Sequence, residues 1–180
     1  FTNSTISWGG SLIRNNLNAV LNGENSESHF YGLYLLKDKQ FVDNHTLVDH
    51  AVPNCNSNEL YKGLIDDKAT GVFNGKIMVR KDAQKTNAYQ SNKNILLSAD
   101  AKINAKPQLE IFADDVKCSH GATSGQLDQN SMFYLQSRGI SKDEAKILLM
   151  NAFSSDVIDS VKIDSLRDYL HSQLFKKLKK

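Results

Sequence analysis

The densest chemistry in this sequence lies in one short run, Phe112-Ala-Asp-Asp-Val-Lys-Cys-Ser-His-Gly-Ala-Thr-Ser-Gly125. It holds Asp114, Asp115, Lys117, Cys118 and His120, followed by Gly121 and Gly125, which permit close backbone approach. In an extended chain, side chains i and i+2 point the same way. Cys118 and His120 then share a face, and Ser119 takes the other. A thiolate beside an imidazole can bind a soft metal ion, or the imidazole can lower the thiol pKa. Two ligands do not close a metal site, so the remainder must come from elsewhere in the fold or from a partner. A plainer reading stands beside this one. A lone cysteine in a β core is commonly a small buried hydrophobe, and a histidine near a turn a structural hydrogen-bonder. Spacing alone leaves both open. Cys55, with only His50 near it in sequence, reads as structural.

Other chemistry is thinner. Asp114-Asp115 followed by Ser119-His120-Gly121 resembles the carboxylate and Ser-His-Gly elements of β-helical polysaccharide hydrolases, and paired carboxylates are what glycoside hydrolysis needs. In those enzymes the two elements sit on separate coils and a further basic motif follows. Here they nearly abut, which weighs against that alternative. No phosphate loop or dinucleotide fingerprint occurs, so nucleotide chemistry would have to come from another chain.

The 180 residues that position this segment suit one domain, or one domain with an appendage, and can bury roughly 70% of their unfolded surface. Hydrophobic residues make up 40% and charged residues 23%, ordinary globular values that exclude wholesale disorder. With 22 basic and 20 acidic residues the net charge is +2, which gives no general field for nucleic acid. Two cysteines cannot make a disulfide-rich scaffold or a four-thiolate zinc site. No apolar run reaches the length of about 18 residues that a membrane helix needs. The chain starts at Phe1 with no methionine and no signal-peptide pattern. It reads as an excised fragment, although a processed mature chain would look the same. Asparagine is unusually common, at seventeen residues against two prolines.

Two grammars meet near residue 126. From 1 to 125, strand-length runs recur: His29–Leu36, Gln40–Val48, Gly71–Val79, Asn94–Leu97 and Gln108–Phe112, with Thr5-Ile-Ser-Trp also strand-like. The breaks between runs carry turn chemistry, Asn74-Gly75 above all. The one stretch that admits a helical period is Ser11–Leu21. The segment is all-β. Sandwich, barrel and β-solenoid stay open, because the asparagines suit solenoid turns while no strict repeat is visible.

From 126 to 180 the spacing predicts helices. Asp128 caps the first, which runs to Arg138 and ends at Gly139. Ser141 and Glu144 form a capping box ahead of an apolar stripe of Ala145, Leu148, Leu149, Ala152 and Phe153. The last helix carries Ile163, Leu166, Leu170, Leu174 and Leu178 on one side, and Lys176, Lys177, Lys179 and Lys180 suit its negative end. These stripes must cover either the β region or another protein.

Ile111-Phe-Ala-Asp-Asp-Val-Lys-Cys-Ser-His-Gly-Ala-Thr123, Gly125-Gln-Leu-Asp128 and Met132-Phe-Tyr-Leu-Gln-Ser-Arg-Gly-Ile140 together resemble the C-terminal half of the SufD branch of the SufB/SufD family, part of the SUF iron–sulfur cluster assembly machinery. Leu47-Val-Asp-His50, Glu59-Leu-Tyr-Lys-Gly-Leu64 and Gly71–Val79 extend the resemblance over nearly the whole chain. Gly121 stands where the SufB-like pattern tends to be acidic, which favours SufD.

The resemblance implies a right-handed parallel β-helix followed by a small C-terminal helical domain. It implies a non-catalytic assembly subunit in the cytoplasm that pairs with a SufB-like paralogue and a SufC-like ABC ATPase. Cys118 and His120 match the cysteine and histidine implicated at the shared interface, where iron or a nascent iron–sulfur cluster is held transiently. His120 would be a ligand or proton-transfer group, and Cys118 its neighbour. Phe133, Leu148, Phe153, Leu166, Leu170 and Leu174 would face the ATPase. A flavin in the full complex is compatible with this picture, and an isolated fragment could pair with its own copy.

Overall fold

The computed structural model describes residues 1–179. Ten strands come first: β1 (Thr2–Ser7), β2 (Leu12–Leu21), β3 (Glu27–Leu36), β4 (Phe41–His50), β5 (Asn56–Ile65), β6 (Thr70–Val79), β7 (Asn87–Leu96), β8 (Lys102–Ala105), β9 (Gln108–Ile111) and β10 (Lys117–Gly125). One sheet runs β1-β3-β5-β7-β10, and the other runs β2-β4-β6-β8 with β9 also on β6. Every pairing is parallel. The chain is therefore a β-solenoid whose coils alternate between the two sheets, the last strand position of the second sheet being split into β8 and β9.

Coil spacing drifts, which is why no fixed repeat shows in the sequence. Arg14 reaches Asp43 across an offset of 29 residues, whereas Asn87 reaches Asn56 across 31. The interior between the sheets fills by alternation, cleanest in β6, where every second residue is buried. Phe30, Tyr34, Val42, Val48, Tyr61, Ile65 and Phe73 dominate it. β2 is a strand rather than a helix. Ile13, Leu17 and Leu21 are spaced by four residues, a spacing that both periods share, and here the strand period puts them inward. β5 carries no clear strand pattern in the sequence because Ser57 and Glu59 occupy inward positions where alternation calls for apolar residues.

The turns are not where dipeptide chemistry put them. Asn74-Gly75 lies in the middle of β6. Gly75 is needed there because a Cβ would overlap the Gln90 amide and the Phe73 ring. The real corners take positive φ at Asn25, Asp38, Asn54, Asp67 and Lys85. Corner stacks on corner: the Asp38 amide donates to Asp67 Oδ2 at 2.9 Å, and the Asn54 amide to Gln84 O at 2.9 Å. Among the seventeen asparagines only Asn25 and Asn54 use the left-handed region. Others ladder between coils, as in Asn15 to Asn44 at 2.8 Å and Asn87 to Asn56 at 2.9 Å.

Three helices follow, α1 (Gln129–Ser137), α2 (Lys142–Asp159) and α3 (Asp164–Leu178). Asp128 caps α1, accepting from the Ser131 amide at 2.5 Å, and Gly139 ends it at φ 86. The Ser141–Glu144 capping box is present on α2. The buried face of α2 is turned from the expected stripe: Ala145, Met150, Ser154, Val157 and Ile158 are buried, while Leu148 is exposed. The reason is the sheet itself. Leu33, Tyr31, Leu35 and Leu60, on the outer face of the β1-containing sheet, pack with Val157, Ile158, Val161, Leu170 and Leu174. Ile6 and Trp8 join the same cluster.

A buried lysine fastens this seam. Lys62 on β5 is 4% exposed and its Nζ donates to Phe153 O at 2.8 Å and Asp156 Oδ2 at 2.5 Å. The same ammonium lies 5.0 Å from the Phe153 ring centre. At the far end of α3, Lys176 and Lys177 occupy the last turn, and Lys180 lies outside the described residues. Among the described residues, no helix is long and apolar enough to cross a membrane.

Candidate functional site

β10 positions the chemistry. It runs parallel to β7, with Cys118 opposite Ala88 and His120 opposite Gln90. Ala88 and Gln90 are buried inward-facing residues. Cys118 and His120 therefore share the inward face of the solenoid, and Ser119 points outward beside Tyr89. β10 ends its sheet, so no further coil covers this face among the described residues. The opposite sheet is interrupted at the same level. β8 stops at Ala105 and β9 starts at Gln108, with Pro107 between them, where no ladder amide is available.

The two side chains differ sharply in setting. His120 is exposed and has no hydrogen-bond partner among the described residues. Cys118 is half-buried, packed against the cluster of Ile77, Val79, Ala83, Ala88 and Ala113. Burial pushes its thiol pKa up, a backbone hydrogen bond at Ala88 opposing this in part. The imidazole-lowered thiolate, one of the two expectations for this pair, is thus not what packing produces. No three His, Cys, Asp or Glu side chains gather to hold a metal ion among the described residues. Cys55 is fully buried, its Sγ facing Gly23 O at 3.3 Å.

Asp114 and Asp115 are exposed on the turn before β10. Asp115 works through its backbone: its carbonyl accepts from the Lys85 amide at 2.6 Å and its own amide donates to Gln84 Oε1 at 2.9 Å. Both carboxylates thus flank a corner that stacks on its predecessor. Nothing here supports the hydrolase alternative.

The helical residues divide. Phe133 is 73% exposed, Leu148 44% and Leu166 41%, whereas Leu170 and Leu174 are buried in the seam with Leu33 and Val157. Phe153 is half-buried under Lys62.

Beneath His120 lies a polar interior. Gln90 stands under His120, and Glu59 under Gln90. Thr46 Oγ1 donates to Glu59 Oε2 at 2.8 Å and Gln90 Nε2 donates to the same oxygen at 3.1 Å. Burial pushes the Glu59 pKa up to about 7, with these two hydrogen bonds opposing. Further along the same two strands, His50 Nε2 on β4 meets Ser57 Oγ on β5 at 2.9 Å. Burial pushes the His50 pKa down to about 4, Asp49 opposing. A polar residue at an inward strand position is the one signal that could have found this group.

These two groups set opposite pH slopes. From the ordinary glutamate value of 4.5 up to about 7, the folded chain holds the extra proton at Glu59, so stability falls as pH rises. From about 4 to the ordinary histidine value of 6.5, the unfolded chain holds the extra proton at His50, so stability rises. Glu59→Gln removes the falling contribution alone. Relative to the unsubstituted chain, the variant is expected to gain stability as pH rises to about 7. Thermal melts across that range check this, and a pH-independent difference would rule it out.

Comparison with known proteins agrees with this architecture. The family model for the SUF system FeS cluster assembly SufBD core domain matches residues 1–153. The iron–sulfur cluster assembly protein SufD of Escherichia coli (strain K12) is 38% identical over 170 residues, 94% of this chain and 40% of that protein. An iron–sulfur cluster assembly SufBD family protein of Synechocystis is 41% identical over 165 residues, 92% of this chain and 36% of the relative. Protein ABCI7, chloroplastic, of Arabidopsis thaliana is 36% identical over 166 residues, 91% of this chain and 34% of the relative. The chain spans 40% or less of the length of these three relatives. With a parallel two-sheet solenoid, a helical tail and a core-domain match over residues 1–153, the chain belongs to the SufBD family of the SUF iron–sulfur cluster assembly system.

Proposed function

We propose that this chain is the SufD-like part of a scaffold on which iron–sulfur clusters are assembled, with no turnover of its own. The observation that carries the reading is the state of β10. It is the edge strand of its sheet, it is largely exposed, and it bears Cys118 and His120 on one face. An open strand edge is a template for strand addition. A thiol and an imidazole alone are an incomplete ligand set. Both deficits are met at once if a SufB-like paralogue pairs along this edge and supplies the remaining groups. Iron, sulfide or a nascent cluster is then the cargo of a shared interface. His120 acts as ligand or proton-transfer group and Cys118 as its half-buried neighbour.

The helical tail offers the second contact. Phe133, Leu148 and Leu166 are exposed apolar side chains on three successive helices. We assign this surface to a SufC-like ATPase, with Leu170, Leu174 and Phe153 anchoring the helices from beneath. A net charge of only +2 supports protein partners rather than nucleic acid, and the cytoplasm is the compartment assigned. Any flavin would belong to the full complex.

Co-purification tests the reading. The full-length protein is expected to capture both the paralogue and the ATPase. Deleting α3 is expected to abolish ATPase capture and spare the paralogue, and undiminished ATPase capture would remove the helical docking surface.

A further inference from the structure

Glu59 Oε1 and Gln90 Oε1 are buried oxygens with no hydrogen-bond partner among the described residues. They belong to one column, which continues in register to His120. Gln90 is 3% exposed, and its amide nitrogen is committed to Glu59. Gly75 confines the same amide from the opposite sheet, because a Cβ there would overlap it. With the nitrogen held on the Glu59 side, the carbonyl oxygen is the group left over. A buried amide oxygen without a donor is costly, so a fold that keeps one has a use for it.

The side chain in register above that oxygen is the His120 ring. Adjacent strands lie about 4.8 Å apart, within reach of an imidazole turned inward. A ring N–H donated to a carbonyl fixes the tautomer and leaves the second ring nitrogen as a lone-pair donor. We infer that Gln90 is the positioning residue for His120: its carbonyl oxygen receives one ring N–H, so that the other ring nitrogen faces iron or sulfide. Glu59, Thr46 and Gly75 act behind it by fixing the Gln90 amide. The inference deepens the proposed role of His120 and rests on it.

The test uses the full-length protein in its complex, with cluster formation followed by visible absorbance and stability by thermal melting. Gln90→Met keeps length and bulk but removes the acceptor, and is expected to slow cluster formation by about tenfold to a hundredfold. In a His120→Ala background the same change is expected to cause no further loss. The exchange Glu59→Gln with Gln90→Glu restores both the buried pair and an acceptor under His120, and is expected to recover the rate. An unaffected Gln90→Met in a system where His120→Ala is impaired overturns this inference alone. A further loss in the double variant makes Gln90 a packing residue and overturns it too. Full activity of His120→Ala removes the proposed role of His120, and the inference falls with it.

Discussion

Replacing His120 with alanine is expected to impair cluster maturation severely while leaving the fold intact. The side chain is exposed, makes no hydrogen bond among the described residues and fills no part of the solenoid core. Surface substitutions of this kind move stability by about 0.5 kcal/mol or less. Any larger effect therefore belongs to chemistry. Loss of even a supporting partner of a metal ligand costs on the order of 10–100-fold, and loss of the ligand itself should cost at least as much. Genetic complementation paired with a melting curve separates the two. Growth at the wild-type rate would leave His120 as a bystander and the half-site without its better ligand. Cys118→Ala is a less clean probe, because that side chain also packs against the buried cluster that includes Ile77 and Ala88.

The largest effect on stability is expected from Gly63→Ala. Gly63 opposes Tyr34 across the β3–β5 ladder, and Gly32 opposes Tyr61. Each ring lies over its neighbour's glycine, so a Cβ at Gly63 would overlap the Tyr34 ring and Asn94 Oδ1. Tyr34 cannot retreat easily. It is fully buried and its hydroxyl donates to Asn94 Oδ1 and accepts from Asn92 Nδ2 at 3.1 Å. One methyl group thus forces a ring out of its well and breaks a buried polar network, which costs about 3 kcal/mol or more. Gly71 makes a comparison within the same core. A Cβ there would meet the flexible end of Ile65 at 3.0 Å and of Ile103 at 3.2 Å, and the Tyr34 ring edge only at 3.2 Å, against 2.3 Å from Gly63. Gly71→Ala should therefore be milder. Urea melts of both variants give the ranking, and equal midpoints would show that the tyrosines yield freely.

Reading the sequence located these features unevenly, for physical reasons. Two of the three helix starts were plain because caps are local: Asp128 and Ser141 do their work within three residues, whereas α3 begins after Ile163 with no side-chain cap. The face that α2 buries was not, because it is chosen by Leu33, Tyr31 and Leu60, which lie far away in sequence. The common face of Cys118 and His120 followed from strand geometry once that segment was taken as extended. Asn74-Gly75 misled because its glycine answers a demand from Gln90 in the opposite sheet, not from its own backbone. The Glu59–Gln90 column was invisible for the same reason. Its meaning lies in register between coils, and the drift of that register from 29 to 31 residues hides it from any fixed repeat.

A solenoid is coupled chiefly between neighbouring coils, so its resistance to opening is graded along its axis. β5 is paired on both sides, by β3 and β7, whereas among the described residues β10 pairs with β7 alone. The strand that carries Cys118 and His120 can therefore peel from the stack without melting the coils beneath it. In amide-exchange terms it is a shallow foldon resting on a deep one. A partner strand added along its free edge gives β10 the second neighbour it lacks, and assembly would be recorded as slowed exchange there long before the interior coils changed at all.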